Sequence, residues 1–581
     1  MGRVNLVKPG TAELSVDARP TPTPDGTEPV AEAREPFTHD RPPAFFTLDH
    51  GTATLAGALV GRVDERWRLL AATALPAGGS PDALAALLVD RFRSADPARA
   101  AAMAGGPGRR TRKGTRPPPA WPRLAASSVP AETLAIIAAT ERTRARLEDA
   151  AVGAGWNVVA GSAERTDPLE LTRLATRPGV VALLVGVADP PDVEERDLAA
   201  ELAVAAAGIA ARRPGLRIFL AGPVPAAPLL DAWGAPVVAR LPAPTGAPGD
   251  LADSALRAAL ASARSGPDDS RRALAAAAGS LARVLSLRVE ILEIGVAGAA
   301  RVVALPAPAD DGGVAATVHL VEVPDAALFR MDHPGSIDRV DHWFTQGLDR
   351  ARLRDRLAEL AIAPWSDIDG DGALLRGAAL RAAVERLLAA TDPVLGVGGV
   401  DLVIGAGGAW SAVPAPAAAH VVADVVRRPG AVQAAIDHAR LLGPLGTIAD
   451  DAERDAVLAD LVDDLLLPLG TIVMPRGLRP NRAAGHLYLD AGGARTEVEL
   501  VAGGLTLVDL PPGVTGTAEL AFRGTPELGP HGRRFRVAVS GGLAGLLLDL
   551  RDIPLRLPER ADRRRELLGT WERALWPEHD A

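Results

Sequence analysis

The run Leu48-Asp49-His50-Gly51-Thr52-Ala53-Thr54 closes a short apolar strand with an acid and turns at once through Gly and Thr. Apolar runs at 55–60 and 67–75 predict two more strands in hairpin order. Two other runs are built the same way. Leu292-Glu293-Ile294-Gly295-Val296-Ala297-Gly298 ends a strand that begins at 289, and Val403-Ile404-Gly405-Ala406-Gly407-Gly408 ends a buried strand at 400–404. A buried strand that delivers an acid into a Gly/Thr turn suits a phosphate–Mg²⁺ site. The carboxylate holds metal-bound water, and the N–H groups of the turn meet phosphate oxygens. A Gly-Gly turn lets a backbone approach a nucleoside closely. On this chemistry Asp49 and Glu293 are the candidate catalytic acids, and Asp49 is also the candidate Mg²⁺ ligand through water. Gly51, Thr52, Gly295, Gly405, Gly407 and Gly408 are the candidate cofactor-binding residues. Each unit taken singly also reads as an ordinary turn; the order and spacing of the three are more specific.

Around these units the chain divides by composition. Residues 1–41, rich in Pro, Thr, Glu and Asp, cannot bury a core and read as a disordered tail. Residues 42–122 carry the first strands, a helix at 81–92, and a linker from 95 with the basic run Arg109 to Arg116. That run has no interleaved aromatic residues to stack on bases, so it reads as a solvated loop and not a nucleic-acid arm. Residues 123–250 alternate strand and helix, the pattern of a parallel flavodoxin- or Rossmann-like α/β module. No Gly-x-Gly-x-x-Gly follows the module's first strand, so a dinucleotide site is not indicated. Residues 251–469 return to strands with long helical stretches. From 470 to 581, short alternating strands between Gly- and Pro-rich turns predict an all-β domain closed by a helix at 561–575.

Composition limits the chemistry. The 581 residues include 63 basic and 72 acidic side chains, a net charge of −9, and no cysteine. Without cysteine there is no Fe–S cluster, no zinc ribbon and no thiol nucleophile. Lys8 and Lys113 are the two lysines; every other basic side chain is Arg. The excess of Ala, Arg, Gly and Pro has the look of coding bias, so a single Arg or Ala carries little information. A mildly acidic chain is a poor general nucleic-acid binder. With no targeting signal at its start and no apolar stretch of membrane-spanning length, the chain reads as cytoplasmic.

Other clusters point to little. Asp367-Ile368-Asp369-Gly370-Asp371-Gly372 opens like a calcium loop, but Ala378 stands where the bidentate Glu belongs. His333 and His342 lack any His-x-His or His-x-x-x-His spacing, so no zinc site is expected. Ser127-Ser128 has no base at a recognisable offset.

From about Pro42 the chain resembles the MutL/GlmL family, accessory proteins of the coenzyme-B12-dependent glutamate (methylaspartate) mutase. The likeness begins at Asp49-His50-Gly51-Thr52 and Ala125-Ala126-Ser127-Ser128. It continues through Gly153-Ala154-Gly155, Leu402 to Gly408 with Pro414-Ala415-Pro416, Leu441 to Gly446, and Leu469-Gly470-Thr471-Ile472-Val473-Met474-Pro475. It ends with Val508-Asp509-Leu510-Pro511-Pro512-Gly513 and 541–549. The resemblance implies an actin-like (ribonuclease H-like) ATPase core with the α/β module inserted and a C-terminal all-β domain. It implies ATP and Mg²⁺ as cofactors, a B12-dependent mutase subunit as partner, and a chaperone or reactivating role.

The departures point elsewhere. Where the family's first phosphate loop ends in Lys, this chain has Ala56. Its second loop, Asp-Ile-Gly-Gly-Ala-Thr-Thr-Asp in the family, is Glu293-Ile294-Gly295-Val296-Ala297-Gly298-Ala299-Ala300. The module's Gly-Gly-x-Asp-Gly-Gly turn has become Gly186-Val187-Ala188-Asp189-Pro190-Pro191. Phosphoryl transfer works by placed charge, so these losses imply a degenerate ATPase. Two alternatives stay open: a nucleotide-independent scaffold, and a metal-dependent hydrolase of the hydantoin type.

Overall fold

The computed structural model describes residues 43–103, 121–128, 132–154, 156–191, 193–213, 215–226, 228, 238–244, 251–264, 268–309, 313–330, 335–364, 366, 370–396, 398–479 and 482–575. The expected tail 1–41, the basic run, and the first half of the calcium-like run (367–369) lie outside the described residues, as does His333. Over the described residues the fold is mixed α/β and divides into two compact units, one falling within 1–128 and 270–581, the other within 129–269.

In the larger unit, β1 (Ala44–His50), β2 (Thr54–Val63) and β3 (Arg66–Pro76) form an antiparallel meander, and β4 (Arg123–Ser127) runs parallel to β1. Within the unit the order is β3-β2-β1-β4. The second half repeats this plan. β5 (Val289–Ile294), β6 (Ala299–Pro308) and β7 (Val314–Val323) form the meander, and β8 (Leu402–Ala406) lies parallel to β5. The equivalence holds residue by residue. Asp49 pairs Ala56 on β2 and Ala126 on β4; Glu293 pairs Ala300 on β6 and Ala406 on β8. Each acid therefore sits near a strand end with only methyl groups beside it in the sheet.

Burial explains why these strands read so apolar. One core lies between the two sheets: Phe45, Ala58, Val60 and Leu124 meet Ile291, Val302 and Ile404, with helix α2 (Ser270–Leu285) contributing Leu274, Ala277, Ala278 and Leu281. Helix α1 (Pro81–Ala95) starts at the Ser80 cap and covers the other face of the first sheet with Leu84, Leu88 and Phe92. The outer face of the second sheet is covered by α3 (Gly370–Leu395) and α4 (Ala415–Val425). Edge strand β3 is also tended. Asp460 and Asp464 of α5 (Asp451–Leu465) accept from the backbone N–H groups of Trp67 and Leu69 at 3.0 and 3.1 Å.

Two expected domain limits change. Residues 123–127 do not open the inserted module, because they pair with β1; the compact unit runs 129–269, not 123–250. The expected all-β domain 470–581 does not stand apart. β9 (Gly430–Asp437), β10 (Leu466–Met474), β13 (Leu505–Val508) and β16 (Leu546–Asp549) extend the second sheet to eight strands, in the order β7-β6-β5-β8-β9-β10-β16-β13. Only β11 (Ala483–Ala491), β12 (Ala494–Val501), β14 (Thr515–Phe522) and β15 (Arg534–Ser540) make a separate sheet. Even that sheet shares a core with the larger one, where Leu487, Leu520 and Val539 meet Val473, Leu546 and Leu548. The closing helix α6 (Ala561–Leu575) buries Leu568 and Trp571 in the core that holds Trp343, Trp410 and Leu387.

Buried charge ties these C-terminal strands down. Asp549 on β16 accepts from Arg551 Nε and Nη2, each at 2.8 Å, and from Arg427 Nη1 at 2.7 Å. Arg551 also donates to Asp424 on α4 at 2.7 Å and lies 4.4 Å from the Trp571 ring centre. Asp424 in turn takes Arg381 Nε of α3 at 2.5 Å, and its arginine and histidine neighbours hold its carboxyl well below the ordinary range.

The smaller unit is a five-stranded parallel sheet in the order 157–162, 133–138, 180–186, 217–221, 238–241. Alternate residues of its first strand serve opposite faces: Leu134, Ile136 and Ala138 pack with Leu147 and Leu256, Ala135 and Ile137 with Leu202 and Ile209. In such sheets ligands bind beyond the carboxyl ends where the strand order reverses. Here that edge is held by the unit's own acids. Glu195 accepts from the Thr140 and Thr143 hydroxyls at 2.9 and 2.8 Å, and Glu164 accepts from the Glu141 N–H at 2.8 Å.

Two outcomes are expected. Asp549→Ala leaves the buried Arg427 without its carboxylate and Arg551 with Asp424 alone, and should cost about 3–5 kcal/mol in urea unfolding. The fragment 129–269, with cores on both faces of its sheet, should melt cooperatively when expressed alone.

Candidate functional site

The repeated strand ends open on one cavity of about 700 Å³ in the larger unit. Asp49, Gly51, Thr52 and Thr54 line it from the first half, and Glu293, Gly295, Gly407 and Gly408 from the second. The size suits a small organic ligand. The two turns match: Gly51 N–H donates to Thr54 O and Gly295 N–H to Gly298 O, both at 2.9 Å. These two donors close their own turns, so they are not the free phosphate donors the sequence pattern suggests.

The three glycines of the third turn differ. Gly405 is not at the cavity wall; a Cβ there would sit 2.4 Å from the ring of the buried Trp410. Gly407 has φ +87°, and a Cβ on it would lie 2.6 Å from Ile294 O and 3.2 Å from Glu293 Oε1. Its bareness lets the third turn press against the second. Gly408 faces the cavity near Arg440.

Lining residues not expected from the sequence include the charged Asp437, Arg440, Arg271 and Arg376. None of the expected elements covers β9, which ends at Asp437. That carboxylate is buried and accepts from the N–H groups of Leu441 and Leu442 at 2.9 and 3.0 Å. Burial pushes it up to about 6 against the pull of those two bonds. The turn it holds places Arg440 at φ +56°. Arg440 Nε lies 2.6 Å from Asp49 Oδ2, and its Nη1 donates to Thr54 Oγ1. On the other half, Arg271 Nε stands 3.4 Å from Glu293 Oε2, and Arg271 Nη1 donates to Glu322 at 3.1 Å. Burial pushes Glu293 up to about 7, outweighing Arg271. The sequence signal for β9 was present, an apolar strand ending in an acid at Ile436-Asp437.

Mg²⁺ does not fit this donor set. Asp49, the candidate ligand, is already in an ion pair with Arg440, and Asp437 accepts from two backbone groups. Among the described residues no three His, Asp or Glu side chains form a group that could hold a metal ion. The cavity's size and its arginines still suit an organic anion. Also among the described residues, no helix is long and apolar enough to cross a membrane.

No family model matches the chain, and no curated protein does. Among solved structures, one from a PilM-PilN type IV pilus biogenesis complex is 13% identical with a TM-score of 0.20, covering 71% of this chain and 98% of that one. The Aquifex aeolicus PPX-GPPA enzyme is 10% identical with a TM-score of 0.17, covering 72% and 88%. Scores this low decide neither fold nor function.

Burial raises Glu293 from 4.5, so the native state holds that proton more tightly than the unfolded chain. This contribution to stability is full below about pH 4.5 and is lost as pH rises through about 7. Glu293→Gln keeps a neutral group there at every pH. The variant should gain on the parent protein between pH 4.5 and 8, by roughly 1–3 kcal/mol at the upper end. Melting curves across that range check this; a constant difference would count against it.

Proposed function

We propose that the larger unit is an actin-like core of degenerate ATPase type, and that the protein is a MutL/GlmL-like accessory factor for an adenosylcobalamin-dependent mutase. One observation carries this. Two halves of like strand order each present an acid and a turn, in matching register, to one cavity, and each acid has an arginine against it. Duplicated sheets with a cleft between them suit a nucleotide that bridges the halves. Arginine-held carboxylates suit binding and not turnover, because the charge that would order metal and water is already neutralised. In this reading a bound nucleotide sets how closely the halves approach, and a mutase subunit reads that state.

The expected outcome is a clear rise in melting temperature with millimolar ATP, and phosphate release no faster than a blank. ATP hydrolysis that disappears in Asp49→Asn would overturn the degenerate reading. Retention of a B12-dependent mutase subunit on the immobilised protein supports the accessory role. Retention with no ATP shift would instead support a nucleotide-independent scaffold.

A further inference from the structure

A carboxylate site for a divalent cation needs acids that are turned inward and not already paired. This cavity has the opposite arrangement. Its ionisable lining includes Asp49, Glu293 and Asp437 against Arg271, Arg376 and Arg440, so formal charge is balanced before any ligand enters. With burial pushing Glu293 up to about 7, part of its charge is given up near pH 7 and the balance leans positive.

Arg440 is the most closely built of these groups. Its left-handed backbone is held by its own N–H on Asp437 O at 3.3 Å, and by the Asp437 carboxylate just beyond it. A residue with a side chain seldom adopts that conformation. Here it throws the guanidinium across the cavity. The group touches the first turn, where a Cβ on Gly51 would sit 2.8 Å from Nη2. It also nears the third, where a Cβ on Gly408 would sit 3.8 Å from Nη1. Of its five N–H donors, Nε serves Asp49, one on Nη1 serves Thr54, and one on Nη2 reaches Asp49 O at 3.5 Å. By count one donor on each terminal nitrogen is left over, and Arg440 lines the cavity, where such donors suit phosphate oxygens.

We propose that Arg440 is the resident cation of this cleft, and that the cavity takes a polyphosphate-bearing anion without a divalent metal. The phosphate oxygens accept from Nη1 and Nη2 while Nε keeps its bond to Asp49. Asp49 thereby serves as the anchor of the arginine and not as a metal ligand. This deepens the nucleotide reading of the cleft and rests on it.

Calorimetric titration of the full chain with inorganic tripolyphosphate, and separately with ATP, each in EDTA and in excess Mg²⁺, tests it. Tripolyphosphate should bind in EDTA at least as tightly as in Mg²⁺. Arg440→Gly suits the left-handed backbone while removing the guanidinium, and should weaken binding in EDTA at least tenfold. Asp49→Asn keeps an oxygen acceptor for Nε while taking a negative charge out of the cleft, and should bind tripolyphosphate in EDTA at least as tightly as the parent; this variant keeps the question open to measurement if Arg440→Gly melts early. Binding that requires Mg²⁺, equal affinity in Arg440→Gly, or no binding of either anion under any condition would overturn the proposal. Tripolyphosphate binding in EDTA without ATP binding would sink only the nucleotide reading. ATP binding solely with Mg²⁺ would sink only the resident cation.

Discussion

A carboxylate taken out of water must find donors, find an opposite charge, or give up its own charge. The cleft holds three such acids and settles each differently. Asp437 takes two backbone N–H groups, and in doing so bends the chain after β9 into the turn that presents Arg440. Asp49 takes that arginine. Glu293 has Arg271 at a longer distance and is pushed toward neutrality. The order of dependence is plain. Without Asp437 the turn is not held, without the turn Arg440 does not reach Asp49, and without Arg440 the first half presents a bare acid to the second.

Much of this scaffold was legible in the sequence, because strand–acid–turn units are local. The runs ending at Asp49, Glu293 and Ile404 each carry their own apolar pattern and their own Gly break, and the structure brings Asp49, Glu293, Gly51, Thr52, Gly295, Gly407 and Gly408 to one cavity. Gly405 misled because a bare glycine has two uses, and here it accommodates Trp410. What local pattern cannot carry is which sheet a strand joins. β10, β13 and β16 have the composition of an independent β domain, yet they pair outward from β9. Nor can it carry a pairing across nearly four hundred residues, as between Asp49 and Arg440.

Arginine was the other blind spot. In a chain with two lysines and a large excess of Arg, a single arginine looks like background. The absence of Lys at position 56 therefore stood out, while the presence of Arg at 440 did not. The structure places Ala56 directly across from Asp49 on the neighbouring strand, with room left by its methyl group, and supplies the positive charge from the opposite half. Position 56 and position 440 thus concern the same carboxylate. Sequence alone shows the first and not the second.

The parallel pairing of β16 with β10 also has a consequence for how the chain is made. The sheet that begins at residue 289 acquires its seventh strand only when residues 546–549 have been translated, and β13 pairs with that strand and not with β10. Until then the growing polypeptide exposes the open flank of β10, while Arg427 waits for Asp549. An unpaired sheet edge of this kind templates association with other chains. Pairing of residues 546–549 is therefore the late event that closes the flank of β10.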